Sequence, residues 1–214
     1  MQAYSGYLFD LDGTLVDTAP DINAALNHAL RQTGLAEVDE SLTRHWVGHG
    51  ARVLVEKALE HHRQKRTDVD AIHGRFLDYY EQHVAELSQP YPGVLAALAE
   101  LRARHAKLAV VTNKLTRFTQ ALLPNVGMAE YFDAVVCGDT TDAPKPAADP
   151  ALHACASLGT VPEQTLFVGD STTDVGCARA AGCPVVCVRG GYSQGVDADL
   201  LGADGVIESF LDLV

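Results

Sequence analysis

Short apolar runs alternate with amphipathic stretches from residue 94 onward, and this alternation constrains the fold more than any other feature of the sequence. The predicted helices cover 94–104, 116–123, 150–158 and 173–181, and the predicted strands cover 108–112, 134–136, 165–168, 184–188 and 205–207. Strands that are apolar along their whole length are typical of a parallel sheet that helices cover on both faces. The sequence therefore predicts an α/β fold with a doubly wound, Rossmann-like parallel sheet.

An earlier strand is separated from these elements by a purely helical segment. The run Tyr7-Leu8-Phe9 has the aromatic and aliphatic character of a buried strand. Four helical patterns follow it: one that closes at Gly34, then 39–46, 51–64 and 68–87, with no convincing strand between Val16 and Ser88. The proline-rich stretch 89–93 marks the return to the strand and helix alternation. We therefore predict a core domain of residues 1–16 and 89–214, with a helical domain of residues 17–88 inserted into it.

The composition excludes several classes of protein. The formal net charge of -12 disfavours binding to nucleic acid or to an anionic membrane, because basic patches drive such binding. No apolar stretch reaches the roughly 20 residues that a membrane-spanning helix requires. The N-terminal residues 1–6 lack the basic segment of a secretory signal. We therefore expect a cytoplasmic protein that has no membrane or nucleic-acid partner.

Two carboxylates directly follow the first strand. Asp10 and Asp12 are two residues apart, so in an extended chain they project to the same side, and Gly13 then allows the backbone to turn away. Paired carboxylates repel each other, and a divalent metal ion would keep both ionised. One of them could act as a nucleophile and the other as a proton carrier. The alternative is that the pair only forms a turn and a helix cap.

Further polar residues follow later strands of the predicted sheet. They are Thr112, Asn113, Lys145, Asp170 and Asp174, and Lys145 lies in a loop between two prolines. Each has a simple structural explanation, since Thr112 and Asn113 could cap a helix, Lys145 could be a surface charge, and both aspartates could complement a helix dipole. In a doubly wound sheet, however, ligands bind beyond the carboxyl ends of the strands. Taken together, these groups indicate a metal-assisted phosphoryl-transfer site.

The four polar segments resemble the four motifs of the haloacid dehalogenase superfamily of phosphatases. The matching segments are Asp10-Leu11-Asp12-Gly13-Thr14, Val111-Thr112-Asn113, Lys145, and Gly169-Asp170-Ser171-Thr172-Thr173-Asp174. The helical segment 17–88 resembles the cap domain that this superfamily inserts between its first two motifs. The resemblance extends over the whole chain and implies an α/β core with a helical cap.

The resemblance also implies a role for each motif residue. Asp10 would attack phosphorus to form an aspartyl-phosphate, and Asp12 would protonate the leaving oxygen and then activate water. The residues implied to hold Mg2+ are Asp10, Asp12 through its backbone carbonyl, Asp170, and Asp174 as a support for the metal or its waters. The residues implied to hold the phosphoryl group are Thr112, Asn113 and Lys145. A carboxylic acid at Asp12 is needed for an alkoxide leaving group but not for a halide, which favours a phosphatase over a dehalogenase.

Several longer stretches resemble bacterial phosphoglycolate phosphatases. They are 9–21, 46–52, 91–94, 112–114 with 117–118, and 180–185. This resemblance implies that the substrate is 2-phosphoglycolate, which would be converted to glycolate and phosphate. His49 and Arg52 lie at a break between two predicted helices, where the resemblance places the specificity loop of the cap. Our hypothesis is that one of them faces the substrate carboxylate; alternatively, Arg52 begins a solvated helix and His49 is only a loop residue.

Other functions remain open from the sequence. The same chemistry could act on another small phosphomonoester, such as a sugar phosphate or N-acetylmuramic acid 6-phosphate, or serve a phosphosugar mutase. Leu115 and the stretch Lys145-Pro146-Ala147-Ala148 depart from the commoner pattern of the relatives in loops that affect substrate fit. A receiver-like or catalytically silent binding protein is a non-enzymatic alternative. We expect a small phosphorylated metabolite as the partner, a monomer or homodimer, and inhibition by Ca2+.

Overall fold

A six-stranded parallel sheet lies at the centre of the computed structural model, which describes residues 4–64 and 69–214. The eight strands of the described chain are β1 (Gly6–Phe9), β2 (Val16–Asp17), β3 (Gln89–Pro90), β4 (Lys107–Val111), β5 (Ala134–Val136), β6 (Thr165–Gly169), β7 (Val185–Val188) and β8 (Gly205–Ile207). The order in the large sheet is β5-β4-β1-β6-β7-β8, and each neighbouring pair is parallel. The prediction of an α/β fold with a doubly wound parallel sheet is confirmed.

Strand β1 lies where the chain reverses its direction of travel across the sheet. From β1 the chain continues outward through β4 and β5, then returns to β6 on the other side of β1 and continues outward to β8. The last residue of β1, Phe9, is paired with Val110 on one side and with Val168 on the other. Residues that follow these three strands therefore share one edge, at the reversal point where ligands bind in such sheets.

Helices cover both faces of the sheet. The eight α-helices in the described ranges are α1 (Ala19–Arg31), α2 (Glu40–Trp46), α3 (Ala51–His61), α4 (Val69–Gln82), α5 (Val94–Ala103), α6 (Thr116–Asn125), α7 (Asp149–Leu158) and α8 (Thr172–Ala181). On one face, buried side chains such as Leu8 and Phe167 cluster with α7 and α8; on the other, Phe9 and Val110 cluster with α5, α6 and the helices of the N-terminal half. None of the helices described here combines the length and apolar character needed to cross a membrane.

The helical segment between the first two motifs enters and leaves the core at one point. Its first helix, α1, packs against α4 and α2, and α3 packs against α4. Strands β2 and β3 flank this segment and pair antiparallel, with Val16 opposite Pro90 and Asp17 opposite Gln89. The sequence did not predict this ladder because two residues are too few to show a strand periodicity. The division into core residues 1–16 and 89–214 and cap residues 17–88 stays a prediction.

The fourth helix is shorter than its sequence pattern suggests. We predicted 68–87, whereas α4 ends at Gln82 and Asp68 lies outside the described residues. The buried Asp21 carboxylate on α1 accepts hydrogen bonds from the backbone amides of Leu87 and Ser88 at 2.8–3.1 Å. This tertiary contact satisfies amides that would otherwise bond within a helix, and it holds the chain in a non-helical turn before β3.

Leu8→Ala is expected to lower the free energy of unfolding by about 2–5 kcal/mol, because it opens a cavity beneath the central strand. Leu8 is fully buried, whereas Leu200 is 77% exposed. Leu200→Ala is the matched control and is expected to change stability by less than about 0.5 kcal/mol. Urea unfolding followed by circular dichroism measures both variants. Equal losses of unfolding free energy in the two variants would contradict the buried position of Leu8 in the core.

Candidate active site

The polar residues of three motifs emerge from neighbouring strands at one edge of the sheet. Asp10 follows β1, Thr112 follows β4 and Asp170 follows β6. The backbone amide of Asp10 donates to Val168 O at 3.0 Å, and that of Thr112 donates to Val136 O at 2.9 Å, so the ladder continues one residue past the strands. This extended pairing fixes the backbone from which the side chains project.

Three aspartates form a buried acidic cluster at this edge. Carboxylate oxygens of Asp10, Asp170 and Asp174 all lie within 4.8 Å of one another, and the side chains are buried. The Lys145 ammonium contacts the cluster, with Nζ 2.7 Å from Asp10 Oδ1 and 2.7 Å from Asp174 Oδ1. When all four groups are ionised, the cluster carries a formal charge of about -2, which a divalent metal ion would balance.

Asp174 is held by the start of the last helix of the core. Its Oδ2 accepts hydrogen bonds from the backbone amides of Asp170 and Ser171 at 3.1 and 3.0 Å and from Ser171 Oγ at 2.6 Å. Ser171 and Asp174 form the capping box of α8. The helix start therefore fixes one carboxylate oxygen of Asp174 and directs the other to Lys145.

Asp170 is positioned by two groups from distant parts of the chain. Its Oδ1 accepts from Thr14 Oγ1 at 2.8 Å, and its Oδ2 accepts from the backbone amide of Tyr192 at 2.6 Å. Gly13 has a φ of 87°, and a Cβ atom there would collide with Asp170 Oδ2. Only glycine fits both the backbone conformation and the close approach of this carboxylate.

The acidic cluster strongly favours an added positive charge. Burial raises the pKa of Asp10 well above its ordinary value; Lys145 opposes this shift, while Asp174 and Asp170 add to it. Burial and the neighbouring Asp174 raise the pKa of Asp170 to about 7. Burial disfavours the charged form of Lys145, but the charges of Asp10 and Asp174 outweigh it and raise the pKa of this lysine. A cation bound among the carboxylates would favour their ionised forms.

The side chain of Asp12 points away from the acidic cluster. Lys114 Nζ lies 2.9 and 3.2 Å from the two carboxylate oxygens of Asp12, and Thr18 Oγ1 donates to Oδ1 at 2.6 Å. Burial disfavours the charged form of Lys114, but the negative charge of Asp12 outweighs it and raises the pKa of this lysine. The sequence assigned no role to Lys114 beyond its place in the stretch 112–114 that resembles the relatives. The placement leaves only the backbone carbonyl of Asp12 for the metal role that the resemblance implies.

The side chain of Asn113 holds the loop that carries Lys145. Asn113 Oδ1 accepts from the Lys145 backbone amide at 2.9 Å, while Nδ2 donates to the carbonyl oxygens of Lys145 and Gly48 at 3.0 and 2.9 Å. The amide thus links the core to the turn between α2 and α3. Its carboxamide is fully engaged, so we expect Asn113 to contact a phosphoryl group through its backbone.

Several hydrogen-bond donors next to Asp10 are unused. Within residues 4–64 and 69–214, the backbone amides of Leu11, Asp12 and Asn113 have no acceptor. The Thr112 hydroxyl accepts from the Lys114 amide at 3.2 Å but donates to no group in those ranges. Convergent free N–H and O–H donors are the partners that a phosphoryl group requires.

A cavity of about 280 Å³ opens from Asp10 and Asp12 toward the helical segment. Its walls are mainly apolar and include Ile22, Leu54, Phe76, Leu115 and Phe118. His49 and Arg52 also line the cavity. His49 Nε2 lies 3.2 Å from Gln194 Oε1, whereas the Arg52 side chain is 53% exposed and its Nη1 lies 2.6 Å from Asp70 Oδ1. The structure thus brings both predicted cap residues to the cavity, with Arg52 already paired.

Tyr192 connects the acidic cluster to the start of the helical segment. Its backbone amide contacts Asp170, while its hydroxyl accepts from the amides of Thr18 and Ala19 at 2.8 Å each and donates to Asp17 Oδ1 at 2.9 Å. Sequence reasoning missed this residue because the loop after β7 carries no motif. The contact with Thr18 joins residues 174 positions apart.

Tyr192→Phe is expected to destabilise the protein by about 2 kcal/mol or more, because two buried amides and a carboxylate lose their shared partner. Urea unfolding measures the change. Tyr131→Phe is the matched control, since the Tyr131 hydroxyl makes no hydrogen bond within the described chain. A loss no larger than that of the control would show that water replaces the Tyr192 hydroxyl at no cost.

Comparison with known proteins identifies relatives over almost the whole chain. The family model of haloacid dehalogenase-like hydrolases matches residues 7–188. The chain is 42% identical to a phosphoglycolate phosphatase of Caulobacter vibrioides over 207 residues, which are 96% of this chain and 87% of that protein. It is 37% identical to a phosphoglycolate phosphatase of Nitrosococcus oceani over 209 residues, covering 96% of this chain and 93% of that protein. A crystal structure of a predicted phosphoglycolate phosphatase from Haemophilus somnus aligns with a TM-score of 0.92 and 32% identity, covering 100% of this chain and 97% of that one.

Proposed function

The chain belongs to the haloacid dehalogenase-like hydrolases and is a phosphoric monoester hydrolase, and from this premise we propose that it converts 2-phosphoglycolate to glycolate and phosphate with Mg2+. The observation that carries the proposal is the buried Asp10 carboxylate, which lies 2.7 Å from Lys145 and lines the cavity. The names of the relatives support the substrate, and the free donors around Asp10 support the reaction type.

We infer that the reaction proceeds in two displacements at phosphorus. In the first, an Asp10 oxygen bonds to phosphorus while the bond to the leaving oxygen breaks, and Asp12 gives its proton to that oxygen, which releases glycolate. In the second, a water oxygen bonds to the same phosphorus, Asp12 takes a proton from the water, and the bond between Asp10 and phosphorus breaks. Asp12 ends protonated and Asp10 free, so the enzyme is regenerated. Thr112, Lys145 and the Asn113 amide hold the phosphoryl oxygens during both steps.

The acidic cluster fits Mg2+ by the chemistry of its donors. It offers buried carboxylates within 4.8 Å of one another and an excess of negative charge, which suits a hard divalent cation with oxygen ligands. Asp10, Asp170 and the backbone carbonyl of Asp12 would hold the ion, and Asp174 would support it or its waters. The bound ion would balance the negative charge of the phosphoryl oxygens.

The cavity beyond Asp12 suits a small metabolite. Its volume of about 280 Å³ lies at the lower end of the roughly 300–1,000 Å³ range of small-molecule sites. The role of His49 and Arg52 as the specificity residues of the cap stays a prediction, as do a cytoplasmic location and a monomeric or homodimeric state.

Phosphate release from a panel of esters tests the substrate. The panel contains 2-phosphoglycolate, glucose 6-phosphate and N-acetylmuramic acid 6-phosphate, each with Mg2+. We expect a kcat/KM for 2-phosphoglycolate at least tenfold above the others. A preference for either sugar ester would support the proposed reaction but contradict 2-phosphoglycolate as the substrate. No release from any ester would contradict the proposed function as a whole.

Mg2+ is expected to raise the melting temperature of chelator-treated protein by roughly 5–10 °C at a concentration about 100 times its dissociation constant. Ca2+ is expected to bind but to inhibit phosphate release, because it prefers more ligands and a looser geometry. Differential scanning fluorimetry and a phosphate assay measure the two effects, with NaCl at matched ionic strength as the control. A melting temperature that responds to NaCl as strongly as to Mg2+ would exclude a specific site.

A further inference from the structure

The cavity wall contains a buried hydroxyl with no partner. Tyr80 lines the cavity and is only 2% exposed, and its Oη makes no hydrogen bond within residues 4–64 and 69–214. The ring is fixed between Phe76, stacked at 5.5 Å, and Phe118, packed edge-on at 5.1 Å. Leaving a buried hydroxyl unpaired is unfavourable, and the side chain cannot easily turn away to find another partner. A bound acceptor would satisfy it.

A buried cation lies next to this hydroxyl. Lys114 Nζ is 4.8 Å from the centre of the Tyr80 ring, and the lysine side chain is 4% exposed. Its ammonium has three N–H donors, of which Asp12 engages two. Burial lowers the pKa of Lys114, but Asp12 and the neighbouring Tyr80 oxygen outweigh this effect, so the ammonium and the Tyr80 hydroxyl lie close to each other. The apolar walls around both groups strengthen any polar contact formed there.

The position of this pair fits a carboxylate on a very short leaving group. Asp12 must contact the ester oxygen to protonate it, so that oxygen lies at hydrogen-bond distance from Asp12. In 2-phosphoglycolate the carboxylate carbon is two bonds from the ester oxygen, about 2.4 Å away. Lys114 is 2.9 Å from Asp12 and therefore lies within reach of this carboxylate.

The other basic side chains of the cavity are less suited to this contact. Arg52 is half-exposed and already paired with Asp70, with Glu56 at 3.7 Å. Burial and the charge of Arg52 lower the pKa of His73, which favours its neutral form. His49 is exposed to solvent on the cap side and contacts Gln194. None of these three matches the burial of Lys114.

We propose that Lys114 and Tyr80 form the subsite for the substrate carboxylate, with the lysine ammonium and the tyrosine hydroxyl each donating to one carboxylate oxygen. The inference rests on the proposed function and adds the residues that select a carboxylate-bearing ester. Burial raises the pKa of Tyr80 to about 12 against the opposing charge of Lys114, so the hydroxyl retains its proton near neutral pH.

A substrate pair that differs only in the carboxylate tests the subsite. The two esters are 2-phosphoglycolate and 2-hydroxyethyl phosphate, in which a hydroxymethyl group replaces the carboxylate. Tyr80→Phe is expected to lower the ratio of their kcat/KM values by about 10- to 100-fold, mainly through KM for 2-phosphoglycolate, because one hydrogen bond to a charged group is lost. The variant should fold normally, since the hydroxyl has no partner in the free protein. Tyr79→Phe, one residue away and outside the cavity lining, is the matched control.

The variants separate this assignment from the alternative at Arg52. If Arg52→Ala lowers the ratio and Tyr80→Phe does not, the cap arginine binds the carboxylate and the proposed subsite is wrong. An unchanged ratio in both Tyr80→Phe and Lys114→Gln would also overturn it, since neither group would then distinguish the carboxylate from the hydroxymethyl group.

Glycolate binding tests the subsite without turnover, so it is independent of the proposed function. Titration calorimetry is expected to show glycolate binding to the wild type at least tenfold more tightly than to Tyr80→Phe. Equal affinities would refute the subsite even if 2-phosphoglycolate is hydrolysed. If the wild type binds glycolate selectively but releases no phosphate from 2-phosphoglycolate, the proposed function fails while the carboxylate subsite stands.

Discussion

Asp10→Asn is expected to lower kcat for 2-phosphoglycolate by about 10⁴-fold or more, because an amide cannot supply the oxygen nucleophile that forms the phosphorylated intermediate. Asparagine has nearly the same shape as aspartate, so the packing below β1 should be retained. The change also removes one of three carboxylates that lie within 4.8 Å of one another. Without metal, the variant should therefore melt no lower than the wild type, and its stabilisation by Mg2+ should be smaller.

A phosphate assay and differential scanning fluorimetry with and without Mg2+ measure these effects on Asp10→Asn. Asp142→Asn is the matched control, because Asp142 is an exposed aspartate in the loop between β5 and α7 and its change should alter neither quantity. Substantial turnover by Asp10→Asn would contradict its role as the nucleophile. Inactivity combined with a large drop in melting temperature would instead assign Asp10 a mainly structural role.

Lys145→Met is expected to lower the free energy of unfolding by about 3–5 kcal/mol without metal, because it removes the cation from a buried cluster and leaves Asp10, Asp170 and Asp174 uncompensated. Methionine retains much of the length and apolar character of the lysine stem, and it removes only the ammonium group, whose Nζ lies 5.8 Å from the centre of the Phe167 ring. Phosphate release should fall by at least 100-fold, because the phosphoryl oxygens lose a cationic hydrogen-bond donor.

Mg2+ should restore part of the stability of Lys145→Met but not its activity, since the ion replaces the missing charge and not the contact with phosphate. Urea unfolding with and without Mg2+ measures the recovery. Lys107→Met is the control, a half-exposed lysine 3.7 Å from Asp133, and should change stability by less than about 0.5 kcal/mol. Equal stability of the wild type and Lys145→Met in a chelator would show that the cluster protonates instead of relying on the lysine.

The sequence predicts the sheet well because its strands are apolar throughout and each is followed by a helical pattern. It fails where a contact between distant residues determines the local structure. The end of α4 depends on the Asp21 carboxylate, which is 67 residues from Ser88. The β2–β3 ladder likewise depends on pairing between residues on either side of the helical segment, and no pattern within either short strand predicts it.

The candidate site shows the same limit. Asp10, Asp170 and Lys145 could be selected because they stand at strand ends or in a stiff loop with a known motif spacing. Lys114 and Tyr80 could not, because their residue types are common on exposed surfaces and in apolar cores. The role that we propose for these two residues depends on which groups the fold places beside them. It also depends on the absence of a partner for the Tyr80 hydroxyl within the described residues.

The pairing of Val16 with Pro90 and of Asp17 with Gln89 has a consequence for protein engineering. Since the two ends of the helical segment are neighbours in one short ladder, the sheet accommodates more than 70 residues as if they were a hairpin loop. A different helical unit with similarly spaced ends could be grafted at this junction without moving the acidic cluster. Exchange of the whole segment would then change which ester binds, while the core residues that act on phosphorus stay the same. Chimaeras joined at this ladder therefore offer a direct route to new substrate ranges.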